Sequence, residues 1–166
     1  AGLWDSGEGR IVRPPPDEIL FLTERPYLPP GTLRQAVVQT GREQDLADAR
    51  ILEVLRELGV EGALEKAGGL DVERDWGEVL ALGEQQMLSF VRLALAAPRY
   101  AVLDRPETVL GAETVARALD FMADQATTLV TFAREPALAE RHDARIALVA
   151  DGSWSFEPLH QSSATA

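Results

Sequence analysis

Val79-Leu80-Ala81-Leu82-Gly83-Glu84-Gln85-Gln86 and, a helix length later, Tyr100-Ala101-Val102-Leu103-Asp104 are the stretches that decide the fold. The first reads as a tight turn at Gly83 opening a helix that runs to Ala97 and stops at Pro98. That helix is apolar almost all round, the pattern of a deeply buried element. The second is an apolar run without alternation, as in a sheet covered on both faces, and it closes on a carboxylate. Open α/β sheets place ligands beyond the carboxyl ends of their strands, so Asp104 stands where a nucleotide-bound metal would sit.

Downstream, residues 111–125 carry Val115, Leu119 and Met122 on one helical face, and residues 128–132 read as a second buried strand. Residues 137–141 predict a short helix. Residues 145–149 and 153–157 flank Asp151-Gly152, a two-residue hairpin signal. This order describes a parallel α/β core with an antiparallel edge. Upstream, residues 9–13 and 18–22 are strand candidates separated by Pro14-Pro15-Pro16, which no helix contains. Residues 23–31 are a loop, and Thr32-Leu33-Arg34-Gln35 has the spacing of a capping box. Residues 45–58 place Ile51, Leu52, Leu55 and Leu58 on one helical face before Gly59, and residues 61–67 predict another short helix. The chain divides into core strands and a loop (1–31), a helical subdomain (32–78), a core helix, strand and hairpin (79–160), and a disordered polar tail (161–166). It opens on Ala1 with no turn signal before it, which suggests a cut inside a longer protein.

The 166 residues fit one domain by the usual range of about 100–200. A net charge of −11 opposes nucleic acid as partner, since that needs a basic footprint. With no cysteine and only two histidines, neither a disulfide frame nor a thiolate or histidine metal site is expected. No apolar run approaches the roughly 18 residues of a membrane span.

Five blocks, in order, resemble the ATP-binding domain of ABC transporters, in particular fused permease–ATPase half-transporters of the peroxisomal fatty-acyl and bacterial peptide or cobalamin uptake branch. Ala1-Gly-Leu-Trp-Asp-Ser-Gly-Glu-Gly-Arg-Ile11 looks like the segment after the phosphate-loop helix. Leu20-Phe-Leu-Thr-Glu24-Arg-Pro-Tyr-Leu-Pro-Pro-Gly-Thr-Leu-Arg34 is similar to the Q-loop, and Gly68-Gly-Leu-Asp-Val-Glu-Arg-Asp-Trp76 to the lead-in to the signature. Ala81, Leu82, Gly83, Glu84 and Gln85 stand in the signature, Asp104 ends the Walker B strand, and Asp151-Gly-Ser-Trp-Ser-Phe156 resembles the closing hairpin.

The resemblance implies a partial P-loop NTPase fold: a mostly parallel sheet, a C-terminal antiparallel hairpin and a small α-helical insert. It also implies that ATP and Mg2+ are bound in the intact protein, with residues 81–85 touching nucleotide and Asp104 and Glu24 facing the metal. The partners would be a membrane-spanning permease region upstream in the same polypeptide and a second nucleotide-binding domain, at the cytoplasmic face of the inner membrane. The phosphate loop would lie upstream of Ala1, its strand beside the one ending at Asp104.

The chain departs from the family's pattern at its reactive positions. Arg105 aligns with the catalytic glutamate that polarises water, and a guanidinium accepts no proton. Ala81 replaces the signature serine, Glu24 the Q-loop glutamine and Arg134 the switch histidine. Gly111 and Met87 replace a D-loop aspartate and the arginine after the signature. The resemblance therefore implies weak or absent hydrolysis, with Arg105 and Arg134 adding positive charge near the γ-phosphate.

Plainer readings stand beside these. Asp104 is also a possible helix cap, and residues 83–86 an ordinary helix start. Arg105 and Arg134 are possible surface partners of Glu107 and Glu135, and Glu24 a solvated loop acid. Trp76 and Tyr27 read as packing residues and His142 as a solvated one. Two other functions remain open: a pseudo-ATPase regulatory or assembly module, and a soluble ABC ATPase of DNA repair or translation. The second is opposed by the acidic charge and by the short spacing from Glu24 to Leu80.

Overall fold

The computed structural model describes residues 8–159. β1 (Ile19–Leu22), β2 (Tyr100–Asp104) and β3 (Thr128–Phe132) form a parallel sheet in that spatial order. The register joins Ile19, Tyr100 and Thr128 at one end and Leu22, Leu103 and Thr131 near the other. Parallel neighbours need long crossovers. Between β1 and β2 these are a helical insert and α5 (Leu82–Ala96); between β2 and β3 they are α6 (Glu107–Leu110) and α7 (Ala112–Asp124).

α5 buries Leu88, Phe90, Val91 and Leu93, and α7 buries Val115, Leu119 and Met122, in one core with Leu22, Ala101 and Leu103. Full burial of such side chains is worth about 1.5–3 kcal/mol each. The opposite sheet face carries Phe21, Val102 and Val130 in one cross-strand row, and Phe21 is 54% exposed, Val130 47%. The lack of alternation in Tyr100-Ala-Val-Leu predicted cover on both faces. Among the described residues only one face is covered, so β2 and β3 are half-buried rather than buried strands. Both flanks of β2 are hydrogen-bonded, to β1 and to β3. A further strand therefore joins only at the outer edge of β1 or β3, not beside Asp104 as expected.

The insert comprises α1 (Leu33–Val37), α2 (Asp48–Glu57), α3 (Glu61–Ala67) and α4 (Trp76–Val79). The capping box is present: Thr32 Oγ1 accepts from the Gln35 N–H at 3.2 Å, and Gln35 Oε1 from the Thr32 N–H at 2.9 Å. Leu33, Val37, Ile51, Val54, Leu55 and Trp76 are fully buried. α2 starts three residues later than its apolar pattern suggests, residues 43–46 forming turns instead. Arg34 clasps the insert: its guanidinium donates to Asp71 at 2.7 and 3.0 Å and to Asp48 at 2.8 Å. Bonding to Asp71 first, then Asp48, pushes the Arg34 pKa further up, and the Asp71 carboxyl is held below the usual range by the same contact.

Further expectations change. Residues 9–13 form no strand, because nothing among the described residues pairs with them, and Ile11 and Val12 are exposed. The hairpin of β4 (Ala144–Leu148) and β5 (Trp154–Pro158) is a separate two-stranded sheet, not an edge of the parallel one. Its reversal takes three residues: the Val149 N–H donates to the Ser153 carbonyl, the Gly152 N–H to the Val149 carbonyl, and Gly152 sits at φ +86°. The segment Pro136–Arg141 is a 3₁₀ turn, and His142 behind it is bonded rather than solvated, with Nδ1 2.9 Å from the Leu138 carbonyl and Nε2 2.9 Å from Thr131 Oγ1. The tail at 161–166 and residues 1–7 of the first resembling block lie outside the described residues.

Candidate functional site

The carboxyl ends of the three parallel strands bring four of the candidate residues to one crest. Glu24 lies two positions after β1, Asp104 is the last residue of β2, Arg105 follows it, and Arg134 lies two positions after β3. Arg105 is the hub: its Nη2 is 2.7 Å from Glu24 Oε2 and its Nε 3.4 Å from Asp104 Oδ1. Its partner is thus Glu24, not Glu107. Glu107 Oε1 instead accepts the backbone N–H of Arg134 at 2.8 Å, while its Oε2 is buried without a partner.

Arg105 is also placed by its backbone. Its N–H donates to the Phe132 carbonyl at 2.8 Å, continuing the β2–β3 pairing one step, and its φ is +44°. A left-handed residue bearing a Cβ costs about 1–2 kcal/mol. Such strain persists where surrounding bonds over-determine it, often at functional sites.

The residues that resemble the signature, 81–85, lie at the mouth of α5. Ala81 is its N-cap, but a methyl group accepts nothing, so only the reverse arm of a capping box exists: Glu84 Oε2 accepts the Ala81 N–H at 2.9 Å. Lys66 from α3 donates to the same carboxylate at 2.6 and 2.8 Å. Lys66 first, and the Ala81 N–H second, hold the Glu84 carboxyl below the usual carboxylate range. Gln85 Nε2 donates to the Leu80 carbonyl at 2.9 Å. Glu84 and Gln85 are therefore engaged in building the helix mouth, whereas Ala81 and Leu82 are exposed. Gly83 is inside the first turn of α5 rather than in a turn before it, and a Cβ there would meet Leu110 Cδ2 at 3.7 Å, an ordinary contact.

Gln86, fully buried, links the two groups: its Nε2 donates to the Thr23 carbonyl at 3.3 Å, tying α5 to the residue before Glu24. Reading the sequence for chemistry overlooked Gln86 and Lys66. A second glutamine directly after Gln85, where the helix turns apolar, was the signal for the first; the second had none, because the pairing spans 18 residues between separate elements.

Glu24 and Asp104 are the carboxylates expected to face a metal. Among the described residues no three His, Cys, Asp or Glu side chains converge to hold one. The two acids share the Arg105 guanidinium, whose positive charge lies where a divalent cation between them would sit.

No family model matches the chain. Individual proteins do. It is 36% identical over 160 residues, 96% of this chain and 24% of the other, to an uncharacterized ABC transporter ATP-binding protein of Synechocystis sp.. It is 32% identical to the lysosomal cobalamin transporter of Mus musculus (93% of this chain, 27% of the other). It is 31% identical to ABC transporter D family member 1 of Arabidopsis thaliana (98% and 13%). The chain thus spans about a quarter or less of the length of these relatives. Matched along nearly its whole length to proteins of one kind, and folded as a parallel α/β sheet with an added hairpin, the chain belongs to the ABC transporter ATP-binding proteins.

Proposed function

We propose that this chain is part of an ATP-binding domain of an ABC transporter, one that couples ATP binding, with hydrolysis weak or lost, to solute movement across a membrane. The observation that carries the reading is Arg105. It follows the Asp104 carboxylate at the strand crest and spans to Glu24 at 2.7 Å. A general base must accept a proton from water; a guanidinium, protonated throughout the physiological range, does not.

In this reading ATP is held between two nucleotide-binding domains. Gly83 and its neighbours at the mouth of α5 meet nucleotide bound by the second domain, and Glu24, Asp104 and Arg105 face nucleotide bound by this one. Residues 32–76 dock on cytoplasmic segments of a membrane-spanning permease region. No helix among the described residues is long and apolar enough to cross a membrane. Closure on ATP moves that region, and release of ATP resets it.

The test uses the full-length protein in membranes. ATP retention is measured by filter binding, and phosphate release in parallel. The expected result is retained ATP with phosphate release at background. Release that Asp104→Asn abolishes would show a working hydrolytic site and overturn the proposal.

A further inference from the structure

Building on the reading above, we propose that the Arg105 guanidinium takes the place of the divalent cation at this site, so that nucleotide is held here without a metal. The two acids that would ligate a cation have one already. Arg105 Nη2 lies 2.7 Å from Glu24 and Nε 3.4 Å from Asp104, so one positive charge sits between two negative ones. Its location is set by the main chain as well as by attraction. The left-handed φ of +44° and the 2.8 Å bond from its N–H to the Phe132 carbonyl fix where the side chain leaves the crest.

The chemistry suits the exchange. Mg2+ demands near-octahedral oxygen ligands, usually one or two carboxylates with waters and phosphates. A guanidinium needs no such shell, and its planar fork matches carboxylate and phosphate oxygens alike. The guanidinium makes one hydrogen bond, from Nε to Asp104 at 3.4 Å, and an ion pair with Glu24 through Nη2, which leaves at least three of its five N–H donors for phosphate oxygens. A metal entering between Glu24 and Asp104 would have to displace Arg105 and leave its guanidinium without either carboxylate partner.

The experiment is equilibrium binding of radiolabelled ATP to the full-length protein, in EDTA and in millimolar Mg2+. For the wild type the two dissociation constants should agree within about twofold. Arg105→Gln should lose about tenfold or more in EDTA and regain most of it in Mg2+. Arg105→Lys, which keeps the charge without the fork, should fall between. A wild type that binds ATP about tenfold more weakly in EDTA, or an Arg105→Gln variant indifferent to Mg2+, overturns this inference and leaves the ATP-binding reading intact. Failure to bind ATP in either buffer instead sinks that reading and takes the metal replacement with it. Should Arg105→Gln not fold, the wild-type comparison decides.

Discussion

Arg34 and Asp71, 37 residues apart in the chain, meet through two parallel hydrogen bonds of 2.7 and 3.0 Å between guanidinium and carboxylate. The contact joins the first turn of α1 to the loop that leads toward α4, and a third bond to Asp48 brings in α2. It lies beside the paired Gly31 and Arg74 backbones, whose bonds of 3.0 and 2.9 Å close the base of the insert. One side chain thus gathers three segments of the helical region.

Arg34→Ala should lower the midpoint of thermal unfolding by about 3–6 °C, and Arg34→Lys should recover less than half of that. An ammonium cannot bond both Asp71 oxygens and Asp48 in one plane. Because both carboxylates are well exposed, the effect should shrink in high salt. Differential scanning fluorimetry at two ionic strengths checks it; a salt-independent loss would assign the effect to packing of the Arg34 stem instead.

Glu84 sets a pH dependence of defined sign. Its folded pKa is depressed by Lys66 and by the Ala81 N–H. Its contribution is therefore full above the ordinary carboxylate range and is lost as the pH falls through the lowered folded value. Wild type should exceed Glu84→Gln in stability at neutral pH, with the gap closing under acid. Denaturant midpoints measured from neutral pH downward report this. A gap that stays constant across that range would remove Glu84 as the titrating group.

Gln86 has one bonded and one unsatisfied end: Nε2 donates to the Thr23 carbonyl, while the buried Oε1 has no partner. Gln86→Ala should cost about 1–3 kcal/mol through the lost bond and the cavity. Gln86→Leu should cost less, because it removes the orphan acceptor and keeps the volume. If instead Leu proves worse than Ala by urea titration, the Thr23 bond outweighs packing at this position.

Trp76 is fully buried and its indole N–H finds no acceptor among the described residues. Trp76→Phe gives up no hydrogen bond and should be far milder than Trp76→Ala, expected to cost about 3–5 kcal/mol. Equal losses in chemical denaturation would point to an acceptor for the indole outside residues 8–159.

The parts of this fold legible in the sequence are those fixed by local rules. The Thr32–Gln35 capping box, the helix at Glu61–Ala67 and the β3 limits all follow from neighbouring residues. Ranges failed where a partner decides. Residues 9–13 have strand composition but no strand among the described residues to pair with, and the sheet face through Phe21 and Val130 reads as buried although nothing described covers it. At the crest, Asp104 and Glu24 stand out as acids near strand ends. That Arg105 would hold them both depended on a left-handed backbone angle, which an arginine does not announce. Lys66 and Gln86 acquire their meaning only from residues 18 and 63 positions away.

The parallel pairing of β1 with β2 has a kinetic consequence. The ion pair at its base joins Arg99 to Glu18 across 81 residues of chain. Closing so wide a loop before anything inside it has condensed is entropically slow. The insert and α5 should therefore order early and carry the two strands together, so that truncating Leu55 or Phe90 retards refolding, whereas truncating Phe21 mainly hastens unfolding. The crest of Glu24, Asp104 and Arg105 should then be among the last parts of the molecule to take shape.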